Sequence, residues 1–332
     1  MTLTDGAPLT DPEFEGLMAP LLLNSAFAVA VSGGADSLAL ALLAHNYARQ
    51  HGLTMIALTV DHGLRHNSTE EASWVHDTLT KRGINHEILT WKHICPLTTK
   101  IQERARAARY DLLGKWCLGN KIESLLTAHH QDDQIETFFM RLAHRSGLKG
   151  LSSMRTRRIM PFGILLRPLL KVPKKRLIAT LNACACTWRE DPSNENDKFE
   201  RVRLRKHLAD LYAHQILTPG ALAASIQKLQ SIDDFLDESV AAFFNVHTVT
   251  HFPLDAFKAQ HSVLQRRLLG YVLKQLAQAD YAPSDDLIDR ACLTLMHANF
   301  KGVTLGGLYF KRAAGSMVDV RVEDRKYANT TV

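Results

Sequence analysis

The chain has 332 residues, 46% apolar and 22% charged, with a mean hydropathy of −0.12, which excludes a disordered or membrane-embedded protein and predicts about two globular domains. Its five cysteines (Cys95, Cys117, Cys184, Cys186, Cys292) include no C-x-x-C pair, so neither a disulfide framework nor a thiolate metal clip is expected, and a cytoplasmic setting fits. The formal charge of +6 is uneven: residues 141–180 hold Arg141, Arg145, Lys149, Arg155, Arg157, Arg158, Arg167, Lys171, Lys174, Lys175 and Arg176 with no carboxylate, leaving −5 for the rest and predicting a phosphate polymer as partner.

The apolar stretch Leu17 to Val31 follows Asp5, Asp11, Glu13 and Glu15 where a secretory leader needs positive charge, so it is read as structure. Phe27 to Ser32 has a strand's apolar run and ends in Gly33-Gly34; Ser37 to Gln50 has helical spacing. Thr54 to Val60 is a second strand, and Ser68-Thr69-Glu70-Glu71 opens a helix to Arg82 with capping-box character. His86 to Trp91 predicts a third strand, Lys100 to Gly119 a helix, Ser124 to Ala128 a fourth strand and Asp132 to His144 another helix. This alternation predicts an α/β fold with a doubly wound parallel sheet, whose ligands bind at the carboxyl ends of strands.

After residue 145 the alternation stops. A helix from Pro173 to Ala185 is expected, with Cys184 and Cys186 in its apolar core, then a polar turn at Asp191-Pro192-Ser193-Asn194. Thr218-Pro219-Gly220 reads as a linker between a domain at 1–217 and a mostly helical one at 218–332, which closes on a β-hairpin between Val303 and Arg321.

Two clusters carry chemistry. Ser32-Gly33-Gly34-Ala35-Asp36-Ser37 joins a strand to a helix, so its amides and the helix N-terminus make an anion site, but no Walker A lysine follows. A carboxylate there repels a phosphate unless a cation intervenes, which makes Asp36 a candidate magnesium ligand to a bound pyrophosphate. In His129-His130-Gln131-Asp132-Asp133-Gln134-Ile135-Glu136, Asp133 and Glu136 are i and i+3 on one helix face at a strand end. The absence of H-x-x-x-H argues against zinc.

The S-G-G-x-D-S loop resembles that of the PP-loop ATP pyrophosphatases. Val60-Asp61-His62-Gly63-Leu64-Arg65, Glu103-x-Ala105-Arg106-x-x-Arg109-Tyr110, Ala128-His129-His130-x-Asp132-Asp133-x-x-Glu136-Thr137, Arg167-Pro168-Leu169 and Asp191-Pro192-Ser193-Asn194 resemble the tRNA(Ile)-lysidine synthetase family in order and spacing over about residues 25 to 207. The resemblance implies a ligase that uses ATP and Mg2+ to adenylate C2 of the wobble cytidine of tRNA(Ile) with a CAU anticodon, after which free L-lysine displaces AMP. It implies that Ser32, Gly33, Gly34, Ala35 and Ser37 hold pyrophosphate, that Asp36 holds magnesium, and that Asp61 and His62 line the nucleotide pocket. Asp133 and Glu136 would receive the lysine, with Arg106, Arg109 and His129 beside the substrates; Arg155, Arg157, Arg158, Arg201 and Arg205 would grip the tRNA. One departure stands in Phe199-Glu200-Arg201-Val202-Arg203-Leu204-Arg205, where Val202 replaces the family's asparagine. Two alternatives share the loop: a PP-loop tRNA-thiolating enzyme, which generally needs a reactive cysteine, and a nucleotide-sensing tRNA-binding module without chemistry.

Overall fold

The structure, a computed structural model, describes residues 6–64, 67–92, 101–190, 200–277 and 284–323. Cys95, Arg65, Asp191-Pro192-Ser193-Asn194 and Phe199 lie outside these ranges. The chain forms two compact units, Met1–Lys228 and Leu229–Val332. No helix among the described residues is long and apolar enough to cross a membrane.

The first unit runs α1 (Asp11–Met18), β1 (Ala26–Ala30), α2 (Ala35–His51), β2 (Thr54–Asp61), α3 (Ser68–Thr80), β3 (His86–Thr90), α4 (Ile101–Gly119), β4 (Ser124–Leu126), α5 (Gln131–Ala143), α6 (Leu148–Leu151), β5 (Arg157–Met160), β6 (Gly163–Leu166), α7 (Lys174–Ala183) and α8 (Glu200–Ala213). The sheet order is β3-β2-β1-β4-β6-β5, parallel throughout except for the antiparallel edge strand β5. Alternation along β1 splits the core between two faces. Phe27 and Val29 pack with α1, α2 and α7, whereas Ala28 faces Leu113 and Cys117 of α4. Strands buried on both faces must be near-continuously apolar, which is why AFAVA reads as a plain hydrophobic run. The strand order reverses between β1 and β4, the crevice where a doubly wound sheet receives ligands.

The α/β fold and the parallel sheet read from the sequence are what the structure shows. The β5–β6 hairpin was not foreseen, because Arg157-Arg158-Ile159-Met160 lacks an alternating apolar face; as an edge strand it needs none. Thr218-Pro219-Gly220 is not a linker but the start of α9 (Pro219–Val246): Thr218 Oγ1 accepts the Ala221 amide at 3.2 Å, and a proline tolerates the first turn, where no intrahelical donor is needed. Cys184 is likewise no core residue, since α7 ends at Ala183 and leaves it exposed.

The second unit continues through the rest of α9, β7 (His251–Pro253), α10 (Leu254–Lys258), α11 (Ser262–Leu276), α12 (Asp285–Met296), β8 (Gly302–Leu305), β9 (Leu308–Ala313) and β10 (Met317–Val322). The expected hairpin is part of a four-stranded antiparallel sheet, β7-β10-β9-β8. Phe252, Phe257, Leu268, Leu269, Leu295, Phe310 and Val318 form its core.

Candidate active site

Gly34 caps α2 in an extended conformation, and the loop before it is held by Ser37, whose hydroxyl accepts the Ser32 amide at 3.0 Å and donates to Gly34 O at 3.0 Å. Gly33 has φ +87°, and a Cβ there would sit 2.8 Å from Val75 Cγ2, so both backbone and packing require glycine. Its carbonyl accepts the Arg189 amide at 3.1 Å. The amides of Ala35 and the next residues begin a seventeen-residue helix, a positive dipole end suited to an anion.

Asp36, in the first turn of α2, meets groups from two other elements. Its Oδ2 lies 3.5 Å from His130 Nε2 at the start of α5 and 3.8 Å from Lys174 Nζ at the start of α7. Burial disfavours the Asp36 anion, but His130, Lys174 and Arg205 outweigh burial and hold the carboxyl below its usual range. Burial likewise disfavours a charged His130, yet Asp36, Asp133 and Asp132 together raise its pKa. Asp36 Oδ1 is buried with no hydrogen-bond partner among the described residues. An orphaned hard oxygen beside this loop fits a divalent cation, which Asp36 would hold.

Two cavities flank this cluster. The first, about 380 Å³, is lined by Ser32, Gly34, Asp36, Ser37, His62, Arg106, Arg109, Tyr110, His129, Asp133 and Arg201. Arg109 donates to His62 Nε2 from Nε at 3.3 Å and from the guanidinium end at 3.2 Å. His129 bonds Thr127 Oγ1 at 3.0 Å; burial, aided by Arg167, Arg106 and Arg201 and opposed by Asp133, lowers its pKa to about 4, so it is neutral near pH 7. Asp61 is committed elsewhere. It accepts from Ser68, from Thr69 Oγ1 at 2.8 Å and from the Gly63 amide at 3.0 Å, which ties the end of β2 to α3 and leaves His62 to line the cavity.

The second cavity, about 720 Å³, is lined by His130, Asp132, Glu136, Lys174, Lys175, Arg205, Leu208 and Tyr212 among others. Glu136 is 2% exposed and holds Arg205 through two bonds, the second at 3.2 Å. Burial raises the Glu136 carboxyl above its ordinary range despite that partner. Asp133 and Glu136 therefore line different cavities. Asp133 Oδ2 accepts the His130 amide at 3.0 Å and stands at the wall of the first, while Glu136 belongs to the second.

Among the remaining basic residues, Arg201 lines the first cavity and Arg205 the second. Arg155, Arg157 and Arg158 lie on and just before β5, with Arg157 donating to Leu21 O at 3.4 Å. Val202 is 7% exposed, an interior position on α8 where an apolar side chain has no amide to satisfy. Sequence reading did not assign His130 or Lys174 a role at the loop. His130 stood inside a quoted motif, but Lys174 had only its membership of the basic block as a signal. Cys117 and Cys186 are buried, their thiols pushed up by burial, Cys117 to about 11, and no described cysteine lines either cavity.

A family model described as a PP-loop domain matches residues 10–212. The chain is 34% identical to a tRNA(Ile)-lysidine synthase of Hyphomonas neptunium, covering 88% of this chain and 80% of that protein. It is 33% identical to one from Wolbachia pipientis wMel, covering 91% and 72%, and 37% identical to one from Bradyrhizobium diazoefficiens, covering 74% and 69%. Among solved structures, the U34-tRNA thiolase NcsA from Methanococcus maripaludis with its [4Fe-4S] cluster matches with a TM-score of 0.56 at 19% identity, covering 66% of this chain and 77% of that one, a likeness of fold alone. With the phosphate loop at the strand-order reversal and relatives of this identity over most of its length, the chain belongs to the tRNA(Ile)-lysidine synthase family of PP-loop proteins.

Proposed function

We propose that this protein ligates free L-lysine to C2 of the wobble cytidine of tRNA(Ile) with a CAU anticodon, using ATP. The observation that carries this reading is the pair of cavities divided by Asp36, His130 and Asp133. ATP occupies the first, its phosphates on the Ser32 to Ser37 amides. Lysine occupies the second, where carboxylates (Asp132, Glu136) and cations (Lys174, Lys175, Arg205) suit both ends of a zwitterionic amino acid. Mg2+ held by Asp36 would screen the phosphate charge.

In the first half-reaction the cytidine O2 bonds to the α-phosphorus and pyrophosphate leaves. Arg106, Arg109 and Arg201 face the phosphates from the cavity wall and stabilise the developing charge, and neutral His129 adds no repulsion to a cationic neighbour. In the second, the lysine ε-nitrogen bonds to C2 and the bond from C2 to the oxygen of AMP breaks. An amine with a pKa of about 10.4 must lose a proton before attack. Glu136, whose carboxyl is raised by burial, is the better acceptor in the lysine cavity; Asp133 guides the amine across the wall. Sulfur transfer is the poorer reading, because no described cysteine reaches either cavity.

The test is AMP release from ATP with tRNA(Ile) bearing CAU, with and without lysine, followed by incorporation of labelled lysine. Stoichiometric lysine in the tRNA is expected. AMP release that is indifferent to both tRNA and lysine would overturn the reading.

A further inference from the structure

Arg167 follows the last residue of β6, at the same sheet edge as the phosphate loop, yet lines neither cavity. It is 4% exposed. Its Nη1 donates to Arg155 O at 2.9 Å and the Tyr110 hydroxyl faces its guanidinium, but its Nε is buried with no hydrogen-bond partner among the described residues. No ion pair holds it among the described residues. A buried guanidinium without a counter-ion is costly, and an orphaned buried donor adds to the cost, so the arrangement asks for an anion.

Its neighbours are cations as well. Arg158 pairs in register with Leu165 across the β5–β6 hairpin, and Leu165 packs with Leu113 and Phe162 under α4, so Arg158 and Arg167 share that face of the sheet. From α4, the Arg106 guanidinium lies over the Tyr110 ring, 5.3 Å from its centroid. Burial, together with the charges of Arg158 and Arg106, depresses the Arg167 guanidinium, which places the three charges within electrostatic reach.

We propose that Arg158 and Arg167 form a seat for one backbone phosphodiester of the RNA substrate, beside the nucleotide cavity that Arg106 lines and separate from the pyrophosphate loop. This rests on the reading that the protein modifies tRNA. The phosphates of ATP are a second source of the same chemistry. The geometry favours RNA: β1 and β6 are two strand spacings apart, about 10 Å, and the loop after β1 already supplies amides to the pyrophosphate. The seat also lies in the acid-free stretch 141–180, with exposed Arg158 at its mouth and buried Arg167 at its floor.

The experiment measures tRNA affinity against salt concentration, and ATP affinity separately, for wild type, Arg158→Ala and Arg167→Gln. Each variant should bind tRNA roughly 10-fold or more weakly at low salt. Each should also lose about 0.7 to 0.9 from the log–log salt slope, the signature of one phosphate contact, with ATP affinity within twofold of wild type. Unchanged slopes in both variants, with wild type still forming lysidine, would overturn the seat and leave the proposed activity standing. A loss of ATP affinity with an intact slope would assign these arginines to the nucleotide and also overturn it. If Arg167→Gln fails to fold by circular dichroism, Arg158→Ala, an exposed position, decides alone. A wild type that binds tRNA but transfers no lysine would instead count against the activity.

Discussion

Asp36 Oδ2 and His130 Nε2 lie 3.5 Å apart although they come from different strand–helix junctions, and their contact forms part of the wall between the two cavities. The contact exists because β1 and β4 are neighbours in the sheet, so the turns after them open side by side. Asp36 consequently has two environments: one oxygen faces a histidine and a lysine, and the other is buried and unpartnered among the described residues.

That division makes Asp36→Asn a test of the metal role. The amide keeps the shape and a contact to His130 but loses the hard anionic oxygen. AMP formation should fall about 10²- to 10³-fold, the usual cost of losing preorganised charge stabilisation, while tRNA affinity stays within twofold. Normal turnover at saturating magnesium would remove the cation from this position.

Asp133 and Glu136, three residues apart on α5, should give separable phenotypes because they line different cavities. Glu136→Gln, which removes a carboxylate contact and the proton acceptor together, should slow lysine transfer and raise the KM for lysine roughly 10- to 150-fold, corresponding to about 1.5 to 3 kcal/mol for a charged hydrogen bond, with adenylated tRNA still formed. Asp133→Asn should slow lysine transfer with a smaller change in KM, so that adenylate accumulates. Identical kinetic defects in the two variants would show that the cavity wall does not separate their roles.

How much of this was legible in the sequence depends on where the contacts come from. The phosphate loop is local: a strand, two glycines and a helix start occupy ten residues, and Gly33 alone states the backbone requirement. The wall between the cavities is not local, since Asp36, His130 and Lys174 meet only through sheet order. Helical periodicity put Asp133 and Glu136 on one face but could not show that Arg205, from α8, would take Glu136 into a second cavity. Asp61 illustrates the converse: a motif carboxylate beside a pocket reads as a lining residue, yet the hydroxyls of Ser68 and Thr69, seven and eight positions on, hold it.

The cysteines offer a negative test. Cys186 is buried with its thiol pushed up, and Cys184 is exposed beyond α7 without lining either cavity. A double variant, Cys184→Ser with Cys186→Ser, should keep lysine-dependent AMP release within about threefold of wild type when assayed as folded protein, because neither thiol is in a position to act as a nucleophile. A folded but inactive double variant would revive sulfur chemistry.

The last prediction concerns the ion pair that fastens the N-terminal segment to α7. Arg176, 1% exposed, donates to Glu13 at 2.8 Å and to the carbonyls of Ala7 and Pro8 at 2.9 and 3.0 Å; Glu13 also accepts from the Thr10 amide and hydroxyl in the capping box of α1. The Arg176 hydrogen bond, helped by Thr10, lowers the Glu13 carboxyl from 4.5 to about 2. A carboxyl depressed in the folded state contributes its full stability above its unfolded pKa. As pH falls through about 4.5 the unfolded chain takes up the proton first, and the contribution declines until pH reaches about 2. Glu13→Gln leaves a buried guanidinium short of its counter-ion, a change that costs about 3 to 5 kcal/mol; the two remaining carbonyls place this case at the lower end. The melting temperature at pH 7 should therefore drop by about 6 to 12 °C. The gap between variant and wild type should narrow as pH is lowered from 5 towards 3, because wild type loses what the variant never had. Thermal melts of both proteins across that range measure it, and a gap that stays constant or widens on acidification would show that Glu13 is not the titrating partner of Arg176.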